Sequence, residues 1–306
     1  MKYIITGVAG FVGRYFVKYL RTNEPNAEIF GIDIAPSCNL LLQKYMPLNL
    51  LDKKATSAIM RDFSPDYVVH LASISSVGQS WQDPATCFEN NTGIMLSILE
   101  AIMQHKLKTR VLSIGSSEEY GNADIPLKEE MPLNPQNPYA VAKVGQEMLG
   151  KLYAQNMDVD VVMTRSFNHI GPCQNERFVV PSFMRQLTNI SQGAENKMLV
   201  GNINVARDFL DVRDVVDAYY KILHHGKNGE VYNVCSGHAY KLHEIITMAE
   251  EILQIKANIE VDQARLRPND VMLILGDNAK LKQELNWQPK YEIRQTITDI
   301  LKEMRG

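Results

Sequence analysis

The stretch Lys2-Tyr3-Ile4-Ile5-Thr6-Gly7-Val8-Ala9-Gly10-Phe11-Val12-Gly13 decides how the rest of the chain is read. Lys2 to Thr6 is a short strand-forming run, and the apolar positions Tyr15, Phe16, Tyr19 and Leu20 have helical spacing. A glycine turn lies between them. Strand, glycine turn and helix in that order leave a helix N-terminus, with its unpaired N–H groups and the positive end of its dipole, where a pyrophosphate can sit. Gly7 then makes the tight turn, Gly10 lets backbone approach phosphate, and Gly13 lets the helix lie close to the sheet. The spacing is G-x-x-G-x-x-G, not G-x-G-x-x-G. A second strand, Glu28 to Ile32, ends in Asp33, where a carboxylate can hold a ribose hydroxyl. Asp33 would repel a 2′-phosphate and no arginine follows it closely, although Ser37 offers a hydroxyl; the pattern leans to NAD(H).

The bulk composition agrees with a globular protein. At 306 residues, 45% hydrophobic and 22% charged, the chain can bury a large core and suits one extended domain or two lobes. A net charge of -3 without Lys/Arg runs argues against nucleic acid as the main partner. No apolar run approaches the roughly 18 residues of a membrane helix, and Met1 to Gly7 enters a strand without signal-peptide anatomy. Cys38, Cys87, Cys173 and Cys235 form neither a C-x-x-C pair nor metal-type spacing. Reduced thiols in a cytoplasmic protein, with no metal site, are therefore expected.

The alternation continues. Asp66 to Ala72 reads as a strand running into the polar segment Ser73-Ile74-Ser75-Ser76, with His70 a core histidine. A helix from Pro84 to His105 and a strand from Thr109 to Gly115 then deliver Ser116. Strands and helices of these lengths imply a parallel sheet covered on both faces. Asn137-Pro138-Tyr139-Ala140-Val141-Ala142-Lys143 adds chemistry. In a helix starting near Pro138, Tyr139 and Lys143 emerge on one face, one turn apart. An ammonium beside a phenol of pKa about 10 favours the phenolate and lowers that value, and a nearby serine can share the proton. Such a set passes a proton to or from an oxygen.

Gly7-x-x-Gly10-x-x-Gly13, Asp33, Leu71-Ala72, Ser116 four before Tyr120-Gly121, and Tyr139-x-x-x-Lys143 together resemble the extended short-chain dehydrogenase/reductase family over nearly the whole chain. The resemblance implies an α/β fold: a Rossmann-type doubly wound parallel sheet over residues 1–166, which later strands may rejoin, and a smaller C-terminal substrate-binding α/β lobe over 167–306. It implies NADPH or NADH as cofactor, held by Gly7, Gly10, Phe11, Val12, Gly13, Asp33, Ile34, Asn49, Leu50, Leu71, Ala72, Ser73, Tyr139, Lys143 and Phe167. Ser116 would hold the reacting sugar oxygen, Tyr139 would be the general acid/base, and Lys143 would lower its pKa and bind the nicotinamide ribose. Ser116, Ser117, Asn168, Val179, Arg207, Arg267 and Asp270 would bind substrate, the two arginines clamping a diphosphate with their planar donor forks. A homodimer joined through helices near 86–104 and 139–155 is also implied.

The later pieces Gly201-Asn202-Ile203-x-x-Ala206-Arg207-Asp208-Phe209-x-Asp211-Val212-Arg213-Asp214, Tyr232-Asn233-Val234-Cys235-Ser236-Gly237, Arg267-Pro268-x-Asp270 and Gly276-Asp277-x-x-Lys280-Leu281 resemble the GDP-4-keto-6-deoxymannose reductases. That implies reduction of a GDP-linked 4-keto-6-deoxyhexose to a GDP-6-deoxyhexose, GDP-D-rhamnose by preference. Glu118 stands where the related GDP-mannose 4,6-dehydratases keep the glutamate that removes the C5 proton. The chain lacks the paired arginines of those enzymes after the second strand, having Asp33-Ile34-Ala35-Pro36-Ser37 there. Dehydratase, C4 epimerase and a non-catalytic nucleotide-sugar sensor are the alternative readings. His169 reads as a packing histidine, and Arg213 and Arg265 as solvated. Asp208, Asp211 and Asp214 read as helix caps and arginine partners.

Overall fold

The computed structural model describes residues 1–266 and 271–305. Strand β1 (Lys2–Thr6) leads through the glycine turn to α1 (Phe11–Asn23), β2 (Glu28–Asp33) and β3 (Lys44–Pro47). Next come α2 (Lys53–Phe63), β4 (Tyr67–His70), α3 (Val77–Gln82), α4 (Pro84–His105) and β5 (Arg110–Ser116). A 3-10 turn, Ser117–Tyr120, and a long loop precede α5 (Pro138–Asn156) and β6 (Asp160–Ser166). The chain then leaves the first sheet for β7 (Asn168–Ile170), α6 (Val179–Ser191), β8 (Met198–Val200) and β9 (Ala206–Asp211). It returns with α7 (Val212–His225) and β10 (Val231–Val234) before β11 (Ala239–Lys241), α8 (Leu242–Leu253), β12 (Ile259–Val261), β13 (Leu273–Ile274), α9 (Ala279–Leu285) and α10 (Ile293–Arg305).

The first sheet has seven strands in the order β3-β2-β1-β4-β5-β6-β10, and every pair is parallel. Because β-strand side chains alternate between faces, β1 sends Tyr3 and Ile5 to one face with Val69, Leu112 and Val162, against α1 and α7. It sends Ile4 to the other, with Val68, Val111 and Val161, against α4. Burial on both faces explains why these strands read as continuous apolar runs. β9 centres a second sheet, paired with β7, β11 and β13. Its hydrophobic cluster joins Phe183 and Leu187 of α6 to Ile245 and Ile246 of α8 and Ile297 and Ile300 of α10.

Short polar side chains set the helix starts. Asp52, Asp83 and Asn137 each accept a backbone N–H three residues on, from Ala55, Thr86 and Ala140, and Pro84 and Pro138 occupy first-turn positions where no N–H is needed. Asp211 caps α7 and pairs with Arg213 as expected. The other two aspartates correct the reading. Asp208 accepts from Ser236 and Gly237, tying β9 to the loop after β10. Asp214 accepts the Lys290 and Tyr291 N–H groups. Arg213 is not solvated either: it bridges Asp211 and Asp299 and lies 3.8 Å over the Tyr291 ring. Arg265 is exposed, beside Asp262.

Candidate active site

In the first sheet the strand order reverses between β1 and β4, which leaves a crevice at their carboxyl ends. The glycine turn lines it. Gly7 has φ +67°, and a Cβ there would come within 2.7 Å of the Ala72 amide nitrogen, so only glycine lets the turn lie against the end of β4. A Cβ on Gly13 would meet the Val8 carbonyl oxygen at 2.4 Å, so α1 packs onto its own strand through that position. Gly10 caps α1 without any side-chain hydrogen bond, and a Cβ there would meet only the Gly7 carbonyl, at 3.1 Å. The first N–H groups of α1, belonging to Phe11, Val12 and Gly13, therefore face an open mouth with no capping side chain. That cradle fits an anionic pyrophosphate.

The other expected cofactor residues divide into two groups. Asp33 lies beside the mouth, accepting the Ala9 and Ala35 N–H groups with its two oxygens; Ile34 and Asn49 are exposed, and Leu71, Ala72 and Ser73 are half-buried at the end of β4. The Leu50 and Phe167 side chains instead pack in the core, Phe167 beside Tyr120 and Cys235. Asn91, on α4 and fully buried, accepts from the Ile74 N–H and donates to the Ile74 carbonyl, holding the segment after β4 in place. A buried asparagine inside an apolar helix was its only trace in the sequence.

Ser116 ends β5, and α5 brings Tyr139 and Lys143 against it. Ser116 is near enough to the Tyr139 phenol to lower its pKa, and Lys143 Nζ is 5.9 Å from the Tyr139 ring centre. All three are buried, at 8%, 8% and 3% exposure. Lys143 donates to the Ile114 carbonyl at 2.8 Å and to Gln146 at 3.0 Å, and Gln146 is itself held by Ser113. The electrostatics differ from the sequence expectation. Burial pushes the Tyr139 phenol well above its usual range, and Ser116 opposes it. Burial pulls Lys143 down to about 8. The phenol therefore stays protonated across neutral pH.

Glu118, half-buried, accepts from Asn137 Nδ2 at 2.8 Å, while Asn137 Oδ1 caps the helix carrying Tyr139. Ser117 is buried beside it. On the second-lobe side, Asn168 is exposed in β7, Val179 is 37% exposed at the start of α6, and Arg207 donates to the Ala206 and Val271 carbonyls. Arg267 and Asp270 lie outside the described residues. His70 is a core histidine, bonded to Thr6 and pushed by burial down to about 3. His169 packs flat against Phe11, with ring centres 6.1 Å apart. Among the described residues no three His, Cys, Asp or Glu side chains gather as a metal site.

A serine, tyrosine and lysine gathered beside a crevice shaped for a dinucleotide fit the extended short-chain dehydrogenase/reductases, and this chain is an enzyme of that class. A family model described as GDP-mannose 4,6 dehydratase matches residues 4–300, and the chain belongs to that family. Its relatives include the GDP-6-deoxy-D-mannose reductase of Pseudomonas aeruginosa, 35% identical over 97% of this chain and 95% of that protein. The GDP-mannose 4,6-dehydratase of Vibrio cholerae is 27% identical over 97% of this chain and 92% of that protein. Among solved structures, RMD from Pseudomonas aeruginosa complexed with NADPH superposes with a TM-score of 0.89 at 33% identity, covering 99% of this chain and 98% of that one.

Proposed function

We propose that this enzyme uses NADPH or NADH to reduce the C4 ketone of GDP-4-keto-6-deoxy-D-mannose, forming a GDP-6-deoxyhexose, GDP-D-rhamnose by preference. The observation that carries the reading is Tyr139, buried with Ser116 and Lys143 at the carboxyl edge of the sheet. When bound, the reduced nicotinamide supplies the hydride to C4. Tyr139 gives its proton to the alkoxide forming on the ketone oxygen, and Ser116 donates a hydrogen bond to the same oxygen. Glu118 Nα already donates to Ser116 Oγ, at 3.2 Å, which leaves the serine hydroxyl hydrogen free for the substrate. Lys143 stabilises the phenolate left behind. Residues 1–166, with α7 and β10 returning to their sheet, form the cofactor side; Asn168, Val179, Arg207, Arg267 and Asp270 serve the GDP-sugar. Similarity to the GDP-6-deoxy-D-mannose reductase supports this substrate. The test is loss of reduced-nicotinamide absorbance on adding GDP-4-keto-6-deoxymannose, with the product read by NMR. An unchanged absorbance overturns it.

A second reading, 4,6-dehydratase activity on GDP-mannose, is favoured by one observation: Glu118 sits against the Tyr139 helix cap with a carboxylate available as a base. Purified enzyme given GDP-mannose and NAD(P)+ decides it, since absence of a 4-keto product removes that reading.

Cofactor preference should follow Asp33. Its carboxylate at the mouth disfavours a 2′-phosphate, whereas Arg14, exposed on the adjoining α1 turn, bears with Asp33 on the Cys38 thiol and offers a cation. Removing the carboxylate in Asp33→Ser is expected to raise the NADPH-to-NADH ratio of kcat/KM by roughly tenfold, about what one partly screened charge contact is worth. An unchanged ratio would place the discriminating charge elsewhere.

The enzyme is further proposed to be a homodimer. On α5, Val141, Met148 and Leu152 are 45%, 62% and 49% exposed, and Phe88 of α4 beside them is 48% exposed. Their spacing forms one apolar stripe, of the kind that soluble monomers rarely leave open. Met148→Glu combined with Leu152→Glu is expected to convert a dimer to a monomer by light scattering. A wild-type monomer would refute the interface. No described helix is long and apolar enough to cross a membrane, and the four unpaired cysteines support a cytoplasmic location.

A further inference from the structure

Directly behind Ser116 lies a charged cluster that the reaction as described does not use. Glu119, fully buried in the 3-10 turn, accepts the Ser116 N–H with Oε1 at 2.6 Å. The fit is close: a Cβ on Gly115 would meet Glu119 Oε1 at 2.5 Å and the Thr164 carbonyl at 2.4 Å. Glu119 Oε2 is buried and has no hydrogen-bond partner among the described residues. Arg165 of β6, 2% exposed, is the cation nearest to it, with Nε 3.9 Å from Oε2, too far for a hydrogen bond. The arginine is committed elsewhere. Its Nε and Nη2 form a fork on Glu147 of α5, both at 2.8 Å, and Nη1 donates to the Glu129 carbonyl. Lys151 adds a second cation to Glu147 at 2.7 Å.

Two carboxyl groups therefore share one buried site in which Glu147 receives both cations and Glu119 receives none at bonding distance. Like charges this close cannot both ionise, and the less compensated group keeps the proton. A proton on Glu119 Oε2 also satisfies the orphaned oxygen, because it can be donated to the neighbouring Glu147. Burial and Glu147 act in that same direction on Glu119, whereas Arg165 and Lys151 hold Glu147 ionised.

We propose that Glu119 is a positioning residue: as a neutral acid it accepts the Ser116 amide N–H with one oxygen and donates an O–H hydrogen bond to Glu147 with the other, fixing the Ser116 hydroxyl beside Tyr139 without placing a negative charge under the developing alkoxide. The pattern Ser116-Ser117-Glu118-Glu119 is a reciprocal cap, in which Ser116 Oγ accepts the Glu118 N–H while the Glu119 side chain accepts the Ser116 N–H. The groups facing Glu119 are Glu147, Lys143 and Tyr139 of α5 and Arg165 of β6. Ionising Glu119 would push Tyr139 further up and oppose charge on the substrate oxygen. The proposal rests on the reading of Ser116 and Tyr139 as the proton-handling pair.

The test compares Glu119→Gln and Glu119→Leu in the full-length enzyme, with infrared spectra of glutamate-labelled protein. Glutamine copies the neutral acid, accepting from Ser116 and donating to Glu147; leucine does neither. Glu119→Leu is expected to lower kcat by roughly tenfold to a hundredfold, the range for a displaced reacting group, with KM changed less than about twofold. Glu119→Gln should restore most of that loss. A protonated-carboxyl stretch present in wild type at neutral pH should vanish in Glu119→Gln. The proposal is overturned if glutamine is as defective as leucine, or if the two spectra show no such difference. Wild-type enzyme that leaves the 4-keto sugar unreduced removes the function reading and the positioning role with it, whereas the infrared band reports the proton independently.

Discussion

Tyr139→Phe is expected to lower turnover of the 4-keto sugar by about 10²- to 10⁴-fold, the usual contribution of a positioned general acid, with cofactor affinity unchanged within a few-fold. In the proposed reaction the phenol donates the proton that neutralises the alkoxide, and phenylalanine keeps the packing against Cys87 and Ala142 without a proton to give. The loss should fall on kcat and kcat/KM alike, because the interaction is made in the transition state. Stopped-flow absorbance and a separate cofactor titration check both halves. A variant with near-normal turnover would remove Tyr139 from the mechanism. The pH profile adds an independent sign. Burial raises the Tyr139 phenol, so it stays protonated across neutral pH, and Lys143, drawn down to about 8, is the group whose charge changes in the working range. Cationic Lys143 stabilises the phenolate formed by proton transfer, so turnover should hold below pH 8 and decline above it as that cation is lost. A rate that rises through that range would contradict the assignment.

Arg165→Met is expected to cost about 3–5 kcal/mol of stability, the range for removing one partner of a buried ion pair. Arg165 is fully enclosed; its guanidinium forks onto Glu147, bonds the Glu129 carbonyl and lies 4.7 Å over the Tyr120 ring. Methionine fills much of the volume but leaves Glu147 with only Lys151, so a carboxylate stays buried with half its compensation. For a chain of this size the thermal midpoint should fall by roughly 10 °C. Adding Glu147→Gln removes the stranded charge and should recover part of the loss, making the pair non-additive. A midpoint unchanged in the single variant would show that the cluster does not support the β5–α5–β6 junction.

Much of this architecture was legible one residue at a time. Gly7, Gly10 and Gly13 have spacing that only a strand-turn-helix with a close backbone approach requires, and the turn forms as read. Asn137-Pro138 marks the start of α5 because a short side-chain acceptor followed by proline suits a helix's first positions and little else. Strands β1, β2, β4 and β5 followed from runs buried on both faces. β3 and α2 escaped because β3 is a short edge strand, half-exposed throughout, with no continuous apolar run. α2, which buries Thr56, Ile59 and Met60, was not read either.

The reactive centre divides along the same line. Side-chain identity and local spacing are properties of the chain: a phenol and an ammonium four residues apart share a helix face in any fold that makes the helix, and the Ser116-to-Glu119 cap closes within four residues. Charge state is a property of the packed molecule. How far the Tyr139 phenol rises and Lys143 falls depends on how much water the sheet and α5 exclude. Which of Glu119 and Glu147 keeps a proton depends on where Arg165 lies once β5, β6 and α5 meet. Those distances link residues far apart in sequence, and desolvation acts through them at several times the strength of any local contact. The glycine spacing and the Tyr139–Lys143 pair were thus written in the chain, while the burial that raises the Tyr139 phenol and lowers Lys143 arose only with the tertiary fold.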